Sequence, residues 1–397
     1  VTDPSPPSEP APPADTGWGR ALRRRAWGIG AGLLFGAFAL SLALYGVPLR
    51  SVQDALAETD PVWLLLPALL FLLQQAVRAW RQALLIRASH PAHRFRDSLS
   101  VLCVSFFFIN TLPARMGEVV RPLLLLERED IPLGQGFAVV FVERAIDLAA
   151  MIGMLSLAAW FVPMPSHRLV VGGAEFDPVE IGRRLAGVTL PLLLLGLLAL
   201  VLGGERLLDR IEPAVQARLP AHPRLGRLAA VLLAFSRQFV SGIRAIRDPK
   251  RLAAVLALTV LTWTLTAAMY GPAARAFHLP VPIGMGEGVA ILGMTMAGMA
   301  LPAAPGMAGT YEAFVRAALA LLGVSGSTPL HPGGPTLDAL AVAYALVMHW
   351  GLNLVQSASA LVFLVLDRIS VRRLALALGR SLGGLPGDTA QQQGVAR

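Results

Sequence analysis

Apolar residues in this chain come in long blocks, not in the strict alternation of a half-buried strand. Blocks of about 20 residues, enough to cross a hydrocarbon core, recur at 26–47, 62–86, 133–162, 184–203, 252–272 and 337–366. Each predicts a transmembrane helix. Two further blocks, 98–130 and 283–323, are interrupted by proline and glycine. In the first, Pro113 separates two apolar arms. At 1.5 Å per residue each arm reaches only about 20 Å, against a core of about 30 Å. The block predicts a re-entrant helical hairpin entered from one face. The second block would enter from the other face, and its longer arms leave two short crossings as the alternative.

Composition places these blocks in a membrane. The chain is 55% hydrophobic and 15% charged, where soluble domains carry about 25% charged residues. The net charge of +9 comes almost wholly from arginine. The arginines gather at the ends of apolar blocks, as membrane topology requires, and not on a soluble domain, so a nucleic-acid partner is not expected. Cys103 is the only cysteine and the seven histidines are scattered, so neither a disulfide nor a metal site is expected, and no cofactor is called for.

Counting positive charges gives the orientation. With a cytoplasmic N-terminus, Arg20, Arg23, Arg24 and Arg25 lie inside. The loop PLRSVQDALAETDP falls outside, and Arg78, Arg81, Arg87, Arg94 and Arg96 are delivered to the cytoplasmic side. The chain then divides into a Pro-rich, disordered cytoplasmic N-terminus (1–25), a first membrane repeat (26–203), a basic amphipathic connector (204–251), a second membrane repeat (252–366) and a basic cytoplasmic tail (367–397). The connector holds ten Lys and Arg residues and repeats leucine, phenylalanine and isoleucine at helical spacing. It suits the headgroup layer or a cap packed on other helices. GLLFG, at 32–36, is a small-xxx-small helix contact and leaves homo-oligomerisation open.

The tips of the two broken blocks read alike. LPARMGEVVRPLLLL begins at Leu112 and LPAAPGMAGTYEAFVRAALAL at Leu301. Glu118 and Arg121 match Glu312 and Arg316 by position. Opposite entry sides with a shared tip predict an inverted repeat, whose broken helices meet near the midplane and form a substrate site. Glu143, Arg144 and Asp147 lie within the 133–162 crossing. A central charge costs roughly 2.5–3.5 kcal/mol even on the lenient insertion scale. The eight residues Arg115, Glu118, Arg121, Glu143, Arg144, Asp147, Glu312 and Arg316 must therefore pair or face water. Four acids against four bases balance, which predicts a polar, partly hydrated cleft. Stapling of helices is the plainer alternative.

The stretches LPARMGEVVRPLLL, VERAIDL and LPAAPGMAGTYEAFVRAALALLGV, in this order, resemble the lysylphosphatidylglycerol synthase transmembrane-region family, which is also described as flippase-like. The resemblance covers about residues 27–366. It implies an all-α polytopic membrane protein, with about six full transmembrane helices and two re-entrant hairpins. Carried over by position, its motif residues are Arg115, Glu118, Arg121, Glu143, Arg144, Asp147, Pro305, Gly306, Gly309 and Glu312. Pro113 and Gly117, with Pro305, Gly306 and Gly309, would shape the two turns. Met307 makes the second turn bulkier than in relatives. About 30 residues follow the last crossing, so an aminoacyltransferase domain is not expected.

The resemblance implies a translocase for a phosphate-bearing lipid headgroup in the bacterial cytoplasmic membrane, with both termini cytoplasmic. Arginines would hold the phosphate through charge-assisted contacts: Arg115 and Arg121 from the cytoplasmic side, Arg316 from the outer side. Glu118, Glu143, Asp147 and Glu312 would pair with them when the site is empty. One alternative is a membrane enzyme acting on a polyprenyl- or phospholipid-linked substrate, with carboxylates as acid and base. Another is a non-catalytic partner of lipid or glycan biosynthetic enzymes.

Overall fold

The structure, a computed structural model, describes residues 33–111, 117–161, 169–171, 174–176, 178–218, 223–299 and 304–369. It is helical apart from one short antiparallel hairpin, β1 (Leu169–Val171) and β2 (Ala174–Phe176), a local exception to the all-α expectation. The helices of the first half are α1 (Leu33–Leu44), α2 (Leu49–Ala57), α3 (Pro61–Ile86), α4 (Phe95–Thr111), α5 (Gly117–Glu129), α6 (Leu133–Phe161) and α7 (Pro178–Arg218). Those of the second are α8 (Pro223–Ile243), α9 (Pro249–Ala268), α10 (Tyr270–Ala276), α11 (Met285–Met299), α12 (Thr310–Leu321), α13 (Leu337–Leu346) and α14 (Leu352–Leu366). Asp-Pro pairs start α3 and α9. Asp60 and Asp248 accept from the backbone N–H of Val62 and Lys250, and each proline occupies the first helical turn, where its missing N–H costs nothing.

Among the described residues, four segments are long and apolar enough to cross a membrane: Pro61–Ile86, Gly187–Val215, Pro249–Ala276 and Leu337–Leu366. The first expected crossing continues differently. α1 turns by 78° into α2, so a helix fills the segment read as an outer loop. Ser51, Val52 and Ala55 are its buried face, and the N–H of Thr336, at the start of α13, bonds Ser51 Oγ at 2.9 Å. α6 is 29 residues long, with Glu143, Arg144 and Asp147 near its middle. α7 runs unbroken past residue 203, where the connector was expected to begin. α8 packs its apolar face on α6, with Phe235 and Phe239 against Phe137 and Phe141.

The loop before α13 returns to α2 through an exposed contact, His331 Nε2 to Glu58 Oε2 at 3.1 Å. Hydrogen bonding and the Glu58 charge raise the His331 pKa above 6.5. The contact therefore favours the folded loop below the ordinary histidine pKa and is lost as pH rises through the raised one. A histidine NMR titration will place the His331 midpoint above 6.5, and Glu58→Gln will lower it.

The two broken blocks form helix pairs, α4 with α5 and α11 with α12. At 17, 13, 15 and 12 residues they extend about 26, 20, 22 and 18 Å, each short of a 30 Å core. Close approach holds both pairs. A Cβ on Gly117 would lie 2.1 Å from the Ile109 nitrogen, and one on Gly298 would lie 2.4 Å from the Phe314 ring.

On α3, Leu65, Leu69, Leu72, Leu73 and Trp80 are exposed, while Gln74, Gln75, Arg81 and Gln82 are buried. Two apolar cores are separated along three helices by polar side chains. On α3 the first core takes Leu70 and Phe71 and the second takes Leu85 and Ile86; on α9 they take Ala267 and Val255; on α6, Ala150 and Ile146. Gln74 to Gln82, Thr259 and Asp147 lie in between. This arrangement suits lipid on the outside and a polar functional layer within.

Candidate functional site

The polar layer is built on α3, whose residues 74, 78 and 81 fall at i, i+4 and i+7 and share one face. Arg81 grips Asp147 of α6 with both terminal nitrogens, at 2.5 and 3.1 Å. Asp147 also accepts from Trp263 Nε1 at 3.2 Å, and Arg81 donates to Thr259 Oγ1 at 2.9 Å. Arg121 of α5 meets Glu143 of α6 at 2.5 Å and Ser105 Oγ at 3.4 Å. Arg81, Arg121, Glu143 and Asp147 are all buried. Short bidentate or charge-assisted contacts are the geometry in which buried ions offset part of their desolvation cost.

Two further arginines are held loosely. Arg144 stands 3.9 Å from Glu118 and 4.0 Å from Asp147 and is partly exposed. Arg78 has no carboxylate of the described residues within ion-pair distance, and its Nε has no hydrogen-bond partner among them. It rests on rings, 5.2 Å from the Phe106 centroid and 5.9 Å from that of Trp263. The Phe106 ring also receives Arg121 at 5.3 Å and Arg144 at 6.0 Å. Cation–π contact offsets only part of the cost of a buried guanidinium.

The charge balance thus differs from the sequence reading. Arg78 and Arg81 lie within α3 and not in a loop. Glu312 and Arg316 are absent from this cluster. Four guanidiniums, those of Arg78, Arg81, Arg121 and Arg144, face the carboxylates of Glu118, Glu143 and Asp147. Among the described residues one positive charge is left over. Arg115 and Pro113 lie outside the described residues.

Arg78 opens on a cavity of about 200 Å³, lined also by Gln74, Gln75, Phe106, Asn110, Asn353 and Gln356 and, on its far wall, by Gly306, Met307, Tyr311 and His349. That wall carries the second motif. Gly306 and Gly309 adopt φ of 68° and 85°, and the turn they shape leads into α12. Pro305 opens its 3-10 turn. Glu312 accepts from the Gly309 N–H at 2.8 Å and from Trp350 Nε1 at 3.1 Å. Its other contact is His349 Nδ1 at 2.8 Å, while His349 Nε2 reaches the Gly306 carbonyl at 2.7 Å. A carbonyl only accepts, so His349 Nε2 is the donor in that contact. His349 also stacks on Tyr311, with centroids 4.4 Å apart. Both His349 and Trp350 sit in a π-helical turn between α13 and α14, a distortion that recurs at functional sites. Arg316 instead closes the end of α1, donating to Ala43 O at 2.6 Å, and pairs with Asp338 at 3.3 Å.

The sequence reading singled out neither Arg78 and Arg81 nor the three glutamines beside them as site residues. Their signal was present in QQAVRAWRQ, polar at helical spacing within a leucine-rich span. His349 had no comparable signal, because its partner Glu312 arrives from a different helix.

Comparison with known proteins extends this picture. The profile described as lysylphosphatidylglycerol synthase TM region matches residues 29–330, so the match stops before α13. Glycosyltransferase AglD of Haloferax volcanii is 25% identical over 339 residues, covering 80% of this chain and 51% of AglD. One UPF0104 membrane protein of Methanocaldococcus jannaschii is 43% identical over 54 residues, 13% of this chain and 23% of that protein. Another is 27% identical over 114 residues, 28% and 34% of the respective lengths. The chain spans about half the length of AglD and smaller shares of the other two.

Proposed function

The chain belongs to the lysylphosphatidylglycerol synthase TM-region family, and we propose that it is a lipid translocase. It passes a phosphate-bearing headgroup between leaflets through the charged cleft while the acyl chains stay in the bilayer. The observation that carries this reading is Arg78, a guanidinium within the span of α3 that lines a cavity with no carboxylate among its described lining residues. A largely desolvated cation with no carboxylate in direct contact is costly, and an incoming phosphate supplies that contact.

The four arginines divide into two roles. Arg81 and Arg121, fixed by short contacts to Asp147 and Glu143, hold α3, α5, α6 and α9 together and shape the cleft. Arg78 and the weakly paired Arg144 take the phosphate. Arg115, from the expected tip of the first hairpin, hands the headgroup in from the cytoplasmic face. Glu118 is the counter-ion that Arg144 gives up and regains. The paired half-helices support re-entrant hairpins in an inverted repeat, within a bacterial cytoplasmic membrane and with cytoplasmic termini. The segments 26–203 and 252–366 act as the two membrane units, joined by the 204–251 connector and followed by the 367–397 tail. Lipid or glycan biosynthetic enzymes are the proposed partners.

The test is headgroup translocation in proteoliposomes carrying labelled phosphatidylglycerol, phosphatidylethanolamine, a polyprenyl phosphate or a neutral lipid. Arg78→Met removes a guanidinium with no carboxylate among the described residues within ion-pair distance, so thermal stability will change little. A charge-assisted contact contributes about 1.5–3 kcal/mol, so transport of phosphate-bearing lipid will fall about 10- to 100-fold. Transport unaffected by Arg78→Met would remove the central support. A covalent product formed from a labelled sugar donor would favour the enzyme reading, which the similarity to AglD, by name a glycosyltransferase, keeps in view.

A further inference from the structure

The far wall of the cavity holds a proton for which the phosphate site has no use. His349 meets an acceptor at each ring nitrogen, the Glu312 carboxyl at Nδ1 (2.8 Å) and the Gly306 carbonyl at Nε2 (2.7 Å). The carbonyl only accepts, so one N–H is committed to Gly306, and a neutral imidazole has no second. The contact at Nδ1 therefore needs a proton of its own. The ring carries it as an imidazolium, or Glu312 carries it as a carboxylic acid. Both arrangements leave the pair neutral, with one proton shared between the two groups. Without it a nitrogen lone pair would face a carboxylate oxygen inside the protein, and the pair would carry one negative charge.

The surroundings favour the loaded form. The His349 ring stacks on Tyr311 and packs against Trp350, with centroids 4.4 and 4.9 Å away, and an aromatic face attracts a cation. Glu312 is buried, and His349 is the member of the pair that lines the cavity. The other charged or titratable groups around the cavity are Tyr311 of α12, Tyr270 just after α9 and, opposite, Arg78 of α3. Tyr344 of α13 donates to the Tyr270 carbonyl, and Arg316 of α12 is turned toward α1 and Asp338 of α13. α4, α11 and α14 bring no charged residue to the lining. Tyrosines are ordinarily neutral below about pH 10. Among the described lining residues, His349 is thus the group whose charge changes near neutral pH. Loss of the shared proton would put a negative charge on the wall opposite Arg78, where it competes with phosphate for the same guanidinium. Proton and phosphate therefore favour each other's binding, and such coupling is reciprocal.

We propose, building on the translocase reading, that Glu312 and His349 form a binding site for a transported proton. Proton and phosphate head load together and leave together, so lipid movement carries protons in the same direction.

The test uses proteoliposomes holding the full chain, a pH-sensitive dye inside and labelled phosphatidylglycerol, whose phosphodiester does not titrate near neutral pH. Proton flux should accompany lipid movement, and an imposed proton gradient should speed movement down that gradient. Detergent-purified protein should retain about 5- to 150-fold less phosphatidylglycerol at about pH 9 than at about pH 5, the usual span of coupling between two sites. Glu312→Gln offers an amide N–H to Nδ1 and an oxygen to the Gly309 N–H, and it fixes the pair as neutral. That variant should retain lipid equally at both pH values and move it without protons. The wild-type readings stand even where the variant folds poorly. Lipid movement without proton flux, or wild-type retention indifferent to pH, would overturn the proton site while leaving a translocase. A pH dependence unchanged by Glu312→Gln would overturn the assignment and move the proton to another group. Retention that falls with pH in the wild type but not in Glu312→Gln, with no movement of any lipid, would uphold the proton site and remove transport instead.

Discussion

Asp147→Ala is expected to destabilise the protein by about 3–5 kcal/mol, the cost of leaving one partner of a buried pair uncompensated. Arg81 would lose both of its carboxylate contacts and Trp263 Nε1 its acceptor. Thr259 would lose little, since its hydroxyl also donates to the Val255 carbonyl. A buried pair exchanged as a whole for apolar residues is often neutral. The double variant Arg81→Met with Asp147→Leu should therefore recover all but the unpaired indole N–H, about 1–3 kcal/mol. Denaturation midpoints in detergent for both single variants and the double variant complete the cycle. The same set separates structure from transport. The double variant removes one charge of each sign, keeps one surplus positive charge beside the cavity, and should keep its lipid transport. A double variant as unstable as Asp147→Ala, or one that folds but moves no lipid, would show that the pair does more than brace the helices.

What could be read without a structure follows from how local each signal is. The half-helix pairs were legible because proline and glycine act on their own backbone; α4 and α5 pack side by side on either side of 112–116, and the expected division at Pro113 itself lies outside the described residues. The charges of α6 were legible because an acid inside an apolar run needs a partner wherever it lies. The identity of those partners was not. Counting positive charges treats every arginine near a helix end alike, and so passed over Arg78 and Arg81, which stand eight and five residues before the end of α3 and turn into its polar layer. Matching the two tips by position placed Glu312 and Arg316 in one cleft with Glu118 and Arg121. The structure joins Glu312 to His349, 37 positions away, and turns Arg316 toward the end of α1. Such pairings are set by helix packing, which residue spacing does not encode. The glycine contact read at 32–36 shows the same limit. Gly36 does sit in a tight contact, but with Ala304 and Ala308 of this chain.

That contact sets the second large effect, expected for Gly309→Ala. Gly309 has φ of 85°, and a Cβ there would lie 2.0 Å from the Gly36 carbonyl oxygen and 2.7 Å from the Leu40 nitrogen. Both neighbours are backbone of α1, so no side chain can rotate away and the helix itself must move. A left-handed non-glycine residue costs about 1–3 kcal/mol, and forcing volume into a packed contact costs about as much again. Gly46 separates the two terms. It has φ of 73° but nothing within 4 Å of its Cβ position, so Gly46→Ala should show the backbone cost alone. If α1 lifts away from the turn, the Glu312 contact to the Gly309 N–H and the His349 contact to the Gly306 carbonyl loosen together, and with them one wall of the cavity. Gly309→Ala should therefore lose transport even in the fraction that folds, while Gly46→Ala loses only some stability. Equal melting points for the two variants would mean that α1 yields freely at the turn, and the close packing of Gly36 on Gly309 would then hold nothing in place.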